Sequence, residues 1–579
     1  MNTRIRSMLA AAMAAAGVSA LRAEVIVKEN NADAFEQTTS WVGGKVPGPN
    51  DLAQWDATVT TGTTYTLKAN LSWGGIAVLN PALANLTVSS TNCLTLGAAG
   101  IFNSSSYNKT FTWNNSFSLS TDQTWSVSGG IHTYAGAVDT AGHGLTLAGS
   151  STKQFKGVIS GGGSVSVVGG TFKLTNPGAY AETLAVTATA ATGAFDTAAG
   201  MGSAPRTGSL TLNGGTLTVG GLSSANTVES NASALVVGPG AISTVTITPN
   251  AAKNAQFYSG SLFRPVGGGM LHFRGTGLGT NTLASLTPNS ANVVFGSAPA
   301  MLGAAGVAGS TTNSIIVGAY GDTSTSGTGA GLVTYDEDYG LRLLDFLTEY
   351  TGAITDGQSQ LDNVRYVNTS GSGIIETELT QDTAINSLSI VETGLGTNTG
   401  VRIVGDVLSR ELVLNSGLIS ARQTLTTALS SDAMVISNLT LNLNGQEGFF
   451  ICQSTGGYNQ GNTPGALYLC ATITNDMGKG VTVGNVGSGN AVVYFAGNTT
   501  NTYTGPTTLN AGVLSLAKTI SNMGIPGNLV VNGGALLKRS ESIPDTADVT
   551  LNGGSFYFDT STSSGNRSEE RRVGKECRS

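Results

Sequence analysis

Charge is scarce in this chain. Asp, Glu, Lys and Arg make up 11% of its 579 residues, which argues against a coiled coil or a mostly helical enzyme, because exposed helix faces need Lys and Glu. Aromatic residues are 6% and prolines number 14. No stretch approaches the ~18 consecutive apolar residues of a membrane-crossing helix. Glycine shows no period of three, so a collagen triple helix is ruled out. The four cysteines, Cys93, Cys452, Cys470 and Cys577, include no Cys-x-x-Cys pair, so a zinc ribbon or thioredoxin-type site has no support. Basic residues do not cluster either. Residues 24–566 carry 20 positive and 32 negative groups, net −12 within a formal −7 for the whole chain. An acidic body without a basic stripe is a poor binder of nucleic acid.

What is present is glycine, 80 residues or roughly twice the usual share, with an apolar fraction of 40%. That fraction is enough to bury a core and too high for a disordered polyampholyte. The apolar residues fall in short alternations that repeat. Leu509-Asn510-Ala511-Gly512-Val513-Leu514 is followed by Val531-Asn532-Gly533-Gly534-Ala535-Leu536 and then Leu551-Asn552-Gly553-Gly554-Ser555-Phe556. Earlier copies are Leu210-Thr211-Leu212-Asn213-Gly214-Gly215-Thr216-Leu217, Leu412-Val413-Leu414-Asn415-Ser416-Gly417, and a looser Val165-Ser166-Val167-Val168-Gly169-Gly170-Thr171-Phe172. Leu-x-Leu turns one face inward at period two, and Asn-Gly or Gly-Gly turns the chain, since Gly prefers positive φ. Locally this reads as a hairpin. The period of ~20–22 residues favours the other solution, a right-handed parallel β-helix whose coils stack strand on strand. On this reading Leu212 and Leu551 are inward core residues.

The first residues read as a secretory signal over 1–23. Arg4 and Arg6 precede an apolar run, Met8 to Val18, too short to span a bilayer, with cleavage after Ala20 or after Ala23. Residues 24–130 hold all five tryptophans (Trp41, Trp55, Trp73, Trp113, Trp125) and read as an N-terminal cap with the first coils. Residues 131–566 read as β-helix repeats, with a charged insertion near 331–365 expected as a short helix or a broad projecting loop. Residues 567–579, in which eight of 13 are charged, break the pattern and read as a foreign tail. If so, the natural chain continues beyond Asn566.

The phrase Asn501-Thr502-Tyr503-Thr504-Gly505-Pro506-Thr507-Thr508-Leu509-Asn510-Ala511-Gly512-Val513-Leu514 resembles the signature of the autotransporter-associated β-strand repeat family. Trp41-Val42-Gly43-Gly44-Lys45-Val46-Pro47-Gly48-Pro49-Asn50-Asp51 is similar to the opening of such proteins, and Tyr335-Asp336 to a segment in their middle. The resemblance implies a secreted or bacterial surface-displayed β-helical passenger of structural or adhesive function, with surface glycans or other cells as partners. It also implies an outer-membrane translocator, and neither a C-terminal barrel nor a sorting signal is visible here; a truncated chain would account for both.

Catalytic motifs are sparse. There is no G-x-S-x-G, G-D-S-G, H-E-x-x-H or Walker loop. Ser150-Ser151-Thr152-Lys153 matches S-x-x-K without its companion motifs. The three histidines, His132, His143 and His272, are scattered, and Gly142-His143-Gly144 lacks the paired carboxylates a glycan hydrolase needs, so it reads as a polar corner before Leu145. Asp336, Glu337 and Asp338 are calcium candidates, with Arg342 near them; acidic runs are more often a solvated face. Gly484-Asn485-Val486-Gly487-Ser488-Gly489-Asn490 reads as a turn. Cys452 and Cys470, 18 residues apart, either bridge adjacent coils or stay as two buried thiols. No catalytic residue or cofactor is assigned. The leading expectation is a non-catalytic display protein, and the alternative a polysaccharide-active lyase or hydrolase on the same scaffold.

Overall fold

The computed structural model describes residues 23–62, 64–82, 84–175, 185–189, 193–197, 207–369, 373–393, 399–423, 434–454, 466–475, 477–486, 491–519, 524–538 and 542–558. The expected leader, except its last residue, and the charged tail lie outside them. Among the described residues there is no α-helix, only two 3-10 turns at Thr38–Ser40 and Val42–Gly44, and the protein is all-β. Two compact units divide the chain. The first comprises Met1–Val236, Val245–Phe263 and Ser285–Ser297, the second Val237–Thr244, Arg264–Ala284 and Ala298–Ser579.

In the first unit, consecutive strands alternate between sheets. Gln123–Val127, Leu145–Ala148, Ser164–Val167, Ala185–Thr189 and Leu210–Asn213 are successive parallel neighbours in one sheet. The strands between them in sequence, Ile131–Tyr134, Thr152–Phe155, Gly170–Leu174, Gly193–Thr197 and Thr216–Gly220, are successive parallel neighbours in another. Short strands Ser116–Leu119, Val138–Asp139 and Ile159–Ser160 add a third parallel run. The alternation seen in the sequence is what makes this work. Leu145 and Leu147 are buried while Thr146 and Ala148 are half-buried. Register then stacks the inward residues: Trp125, Leu147, Val167, Ala188 and Leu212 occupy one column across five strands, every one fully buried. Each Leu or Val so buried contributes roughly 1.5–3 kcal/mol.

Three of the tryptophans, Trp41, Trp55 and Trp73, pack together beside the first strands of this unit. The Phe35 ring lies 5.9, 5.7, 5.4 and 5.3 Å from the rings of Trp41, Trp55, Tyr65 and Trp73. All five side chains are buried, and Trp41 Nε1–H donates to Phe35 O at 2.8 Å. Large aromatics fill space that Leu and Val fill in later strands, and edge-to-face pairs add to their burial.

In the second unit the repeat phrases do not form hairpins. Val513–Lys518 pairs in parallel with Val492–Gly497 on one side and Ala535–Lys538 on the other, which in turn pairs with Ser555–Phe558. Thr507–Leu509, Leu529–Val531 and Val549–Leu551 form a matching parallel series. The corner between the two series has Gly512, Gly534 and Gly554 at φ of 79°, 75° and 80°, so the left-handed residue follows the asparagine by two. A Cβ at Gly534 would stand 2.3 Å from Gly512 O, which explains glycine there. The asparagines stack instead: Asn532 Nδ2 donates to Asn510 Oδ1 at 2.9 Å and Asn552 Nδ2 to Asn532 Oδ1 at 2.8 Å, across 22 and 20 residues. A second ladder links Asn444 to Asn415, Asn415 to Asn386 and Asn386 to Asn363.

Two expectations are corrected. Leu551 is 43% exposed rather than inward-buried. Its strand is the last of its series among the described residues, so it is covered on one side alone, whereas Val531 is held between Leu509 and Leu551. The charged insertion forms neither a helix nor a projecting loop at its start. Gly331–Asp336 and Gly340–Leu343 are an antiparallel pair. Its apolar residues explain this: Leu332 and Leu344, with Tyr320, Tyr350, Ile315 and Met270, pack against Leu418, Phe449 and Ile451 of Glu411–Gln423 and Gly448–Ser454. The polar residues are left at the turn.

Candidate functional site

The second unit holds a cleft of about 310 Å³ lined by Ile242, Thr244, His272, Arg274, Gly327, Thr328, Asn485 and Val486. Strand Leu271–Gly275 supplies its charged part. Leu271 and Phe273 are buried on one face, and period two places His272 and Arg274 together on the other. The strand pairs in parallel with Ala319–Asp322, with Arg274 opposite Asp322 and His272 opposite Tyr320. His272 Nε2 is 2.9 Å from Asp322 Oδ2. An ionised carboxylate only accepts, so Nε2 carries the proton and donates to it. Asp322 also accepts from the Gly329 N–H. Burial holds the Arg274 guanidinium below its ordinary range, partly offset by Asp322. The arrangement offers a cation, an oriented imidazole, two hydroxyls and an amide between two apolar walls.

Two buried ion pairs brace this unit. Arg264 reaches across 183 residues to Glu447, with Nη1 to Oε2 at 2.9 Å and Nη2 to Oε1 at 3.2 Å, and lies over the Phe449 ring at 4.4 Å. Thr482 Oγ1 donates to the same carboxylate. Glu349 is fully buried and saturated: it accepts from Arg342 Nη1 and Nη2 at 2.7 and 2.8 Å, from the Gly309 and Asp345 N–H groups, and from Asn313 Nδ2. Desolvation opposes its ionisation, but Arg342 and the other donors outweigh that and bring its pKa down to about 2.

The residues singled out from the sequence fall elsewhere. Asp336, Glu337 and Asp338 make the turn of the antiparallel pair, where Asp336 Oδ1 accepts from the Asp338 N–H at 2.8 Å. Among the described residues no three His, Cys, Asp or Glu side chains are placed to hold a metal ion. His143 leads into Leu145–Ala148, with Nδ1 3.6 Å from the solvated Asp122 carboxylate. Lys153 is buried, and its ammonium donates to the carbonyls of Gly149, Ser151 and Gly169 at 3.2, 3.1 and 3.1 Å, while Ser150 Oγ donates to Ser128 O. The pair therefore does not act as nucleophile and base. Cys452 and Cys470 are thiols in the structure, Cys452 inward in the core and Cys470 half-buried on a different strand. Burial pushes the Cys452 thiol up to about 12.

Sequence reasoning missed the cleft. Its residues come from four separate segments, and no spacing in the chain signals that 242–244, 272–274, 327–328 and 485–486 converge. The alternation Leu271-His272-Phe273-Arg274 was the one local clue. No helix among the described residues is long and apolar enough to cross a membrane. No protein-family model, no curated protein and no solved structure matches this chain.

Proposed function

We propose that the chain is a secreted or surface-displayed, non-catalytic passenger-type protein, built as a right-handed parallel β-helix of the autotransporter-associated repeat kind, which acts by presenting a repetitive polar face to surface glycans or other cells. The observation that carries this reading is the pairing of Thr507–Leu509, Leu529–Val531 and Val549–Leu551 in one parallel series, with Asn510, Asn532 and Asn552 hydrogen-bonded in line after them. The repeat phrase thus coincides with one structural step, as a stacked coil requires. Outward Thr, Ser and Asn give many equivalent weak contacts, and multivalency converts these into useful adhesion. Protease shaving of intact producing cells, followed by adsorption of the purified chain to a panel of surface glycans, tests it. Surface cleavage together with glycan or cell adsorption supports the reading. An internal, protease-protected protein that adsorbs to neither sinks it.

One observation favours a second reading, a polysaccharide-active enzyme: the His272–Asp322 pair with Arg274 beside a cleft. Release of reducing ends or unsaturated sugars from acidic and neutral glycans, with and without calcium, would establish it, and their absence across the panel would remove it.

A further inference from the structure

We propose that the cleft between Leu271–Gly275 and the Gly327–Thr328 and Asn485–Val486 segments binds a hydroxylated carboxylate, specifically one uronic-acid unit of an acidic glycan. The inference rests on the adhesive reading above and names the ligand class for one site.

Each part of such a ligand finds a chemical counterpart. Arg274 is the cation of the cleft, and a guanidinium meets a carboxylate through two parallel N–H donors. Asp322, opposite Arg274 on the neighbouring strand, offsets part of this charge while its Oδ2 accepts from His272 Nε2 and the Gly329 N–H, and Arg274 Nη1 donates to Gly327 O at 3.4 Å. The His272–Asp322 bond fixes Nε2 as the nitrogen facing Asp322 and leaves Nδ1 as the ring nitrogen for a hydroxyl of the ligand. Thr244, Thr328 and Asn485 supply groups that both donate and accept, as ring hydroxyls require. Ile242 and Val486 give apolar walls for the C–H face of a sugar ring. At about 310 Å³ the space lies at the small end of ligand pockets, ~300–1,000 Å³, fitting one ring and not an extended chain. Gln453 adds a second observation. It is 4% exposed, neither side-chain amide atom has a hydrogen-bond partner, and its Nε2 would lie 2.6 Å from a Cβ at Gly329, the neighbour of Thr328. A buried amide left unsatisfied beside a polar cleft is a reserve for a ligand or its ordered water.

The test is titration of the full chain, by calorimetry and ligand-observed NMR, with free galacturonate, glucuronate, galactose and inorganic phosphate. The uronates are expected to bind saturably and galactose at least ten-fold more weakly. Arg274→Gln is expected to weaken uronate binding at least ten-fold with an unchanged melting midpoint. Thr328→Val, at an exposed position, should weaken it several-fold and decides the matter if Arg274→Gln misfolds. Equal uronate binding by wild type and both variants overturns the proposal, as does galactose binding as tightly as the uronates, or binding of phosphate alone. Adsorption to a polygalacturonate surface separates the two claims. A wild-type chain that adsorbs to the surface but binds free uronates no better than Arg274→Gln does loses the cleft assignment and keeps the adhesive reading, whereas a wild-type chain that adsorbs to no glycan removes both.

Discussion

Lys153 stands next to His132 in the same inward column of the first unit, on the neighbouring strand, with Phe111 and Phe172 on either side of the pair. Burial, reinforced by the Lys153 charge, pushes the His132 imidazole down to about 3. The unfolded chain takes up this proton near pH 6.5 and the folded chain only near 3, so the unfolded state binds more protons in between. The contribution of this group is therefore complete above pH 6.5 and declines as pH falls toward 3, by roughly 5 kcal/mol in the limit. Urea midpoints at pH 7.5 and 4.5 should show the loss, and His132→Leu should flatten it. An acid limb identical in the variant would refute the assignment.

Lys153 itself gives a limb of the same sign at alkaline pH. Burial lowers its ammonium to about 8 from an ordinary 10.5. Between those values the unfolded chain again holds the extra proton, so stability rises with pH from about 8 to 10.5. The stability difference between wild type and Lys153→Met should change in wild type's favour across that window. A difference that stays constant from pH 7.5 to 10.5 would count against it.

Two leucines in equivalent phrases should behave differently. Leu212→Ala opens a cavity in a column of fully buried side chains and is expected to cost about 2–5 kcal/mol. Leu551→Ala, at a 43% exposed position, should stay within about 1 kcal/mol. Denaturant melts of both variants settle the comparison, and equal losses would contradict the burial described here.

Asn532 is the middle rung of its ladder, donating to Asn510 and accepting from Asn552. Asn532→Ala breaks both links and leaves the buried Asn510 carbonyl without that donor, an expected cost of about 1–3 kcal/mol. Asn552→Ala breaks one exposed link and should cost less. A double-mutant cycle on the pair should return a coupling of a few tenths of a kcal/mol or more; zero coupling would show the ladder to be energetically idle.

Glu349 makes the second unit acid-sensitive in a different range. Its pKa of about 2 lies below the ordinary 4.5, so its contribution is present above pH 4.5 and is lost as pH falls toward 2. Glu349→Ala, which strands Arg342 and three other donors, is expected to cost about 3–5 kcal/mol at pH 7. The penalty should shrink at pH 3 in parallel melts, and a penalty unchanged with pH would contradict the network.

The inward columns were legible because Leu210-Thr211-Leu212 alternates and Leu212 repeats the phrase of Leu414. The asparagine spacing was legible for the same reason, although its hydrogen bonds were not. Ile131-His132-Thr133-Tyr134 hides an inward histidine, since a polar residue at an inward position reads as a break in the pattern. Leu551 was misread because a phrase fixes which face a residue takes and says nothing about whether a further strand covers it. The Arg264–Glu447 and His272–Asp322 pairs join residues 183 and 50 positions apart, and only the course of the backbone brings them together. The cleft was invisible for that reason, while the acidic run at Asp336–Asp338, conspicuous in the sequence, turned out to serve a turn.

The asparagine ladder also bears on how such a gene can lengthen. Every rung presents a donor on one side and an acceptor on the other, so an in-frame duplication of the codons from one asparagine to the next would insert a step whose own amide meets both neighbours. Growth by copying would then leave existing rungs chemically undisturbed, whereas a deletion or insertion out of phase would misalign every later rung at once.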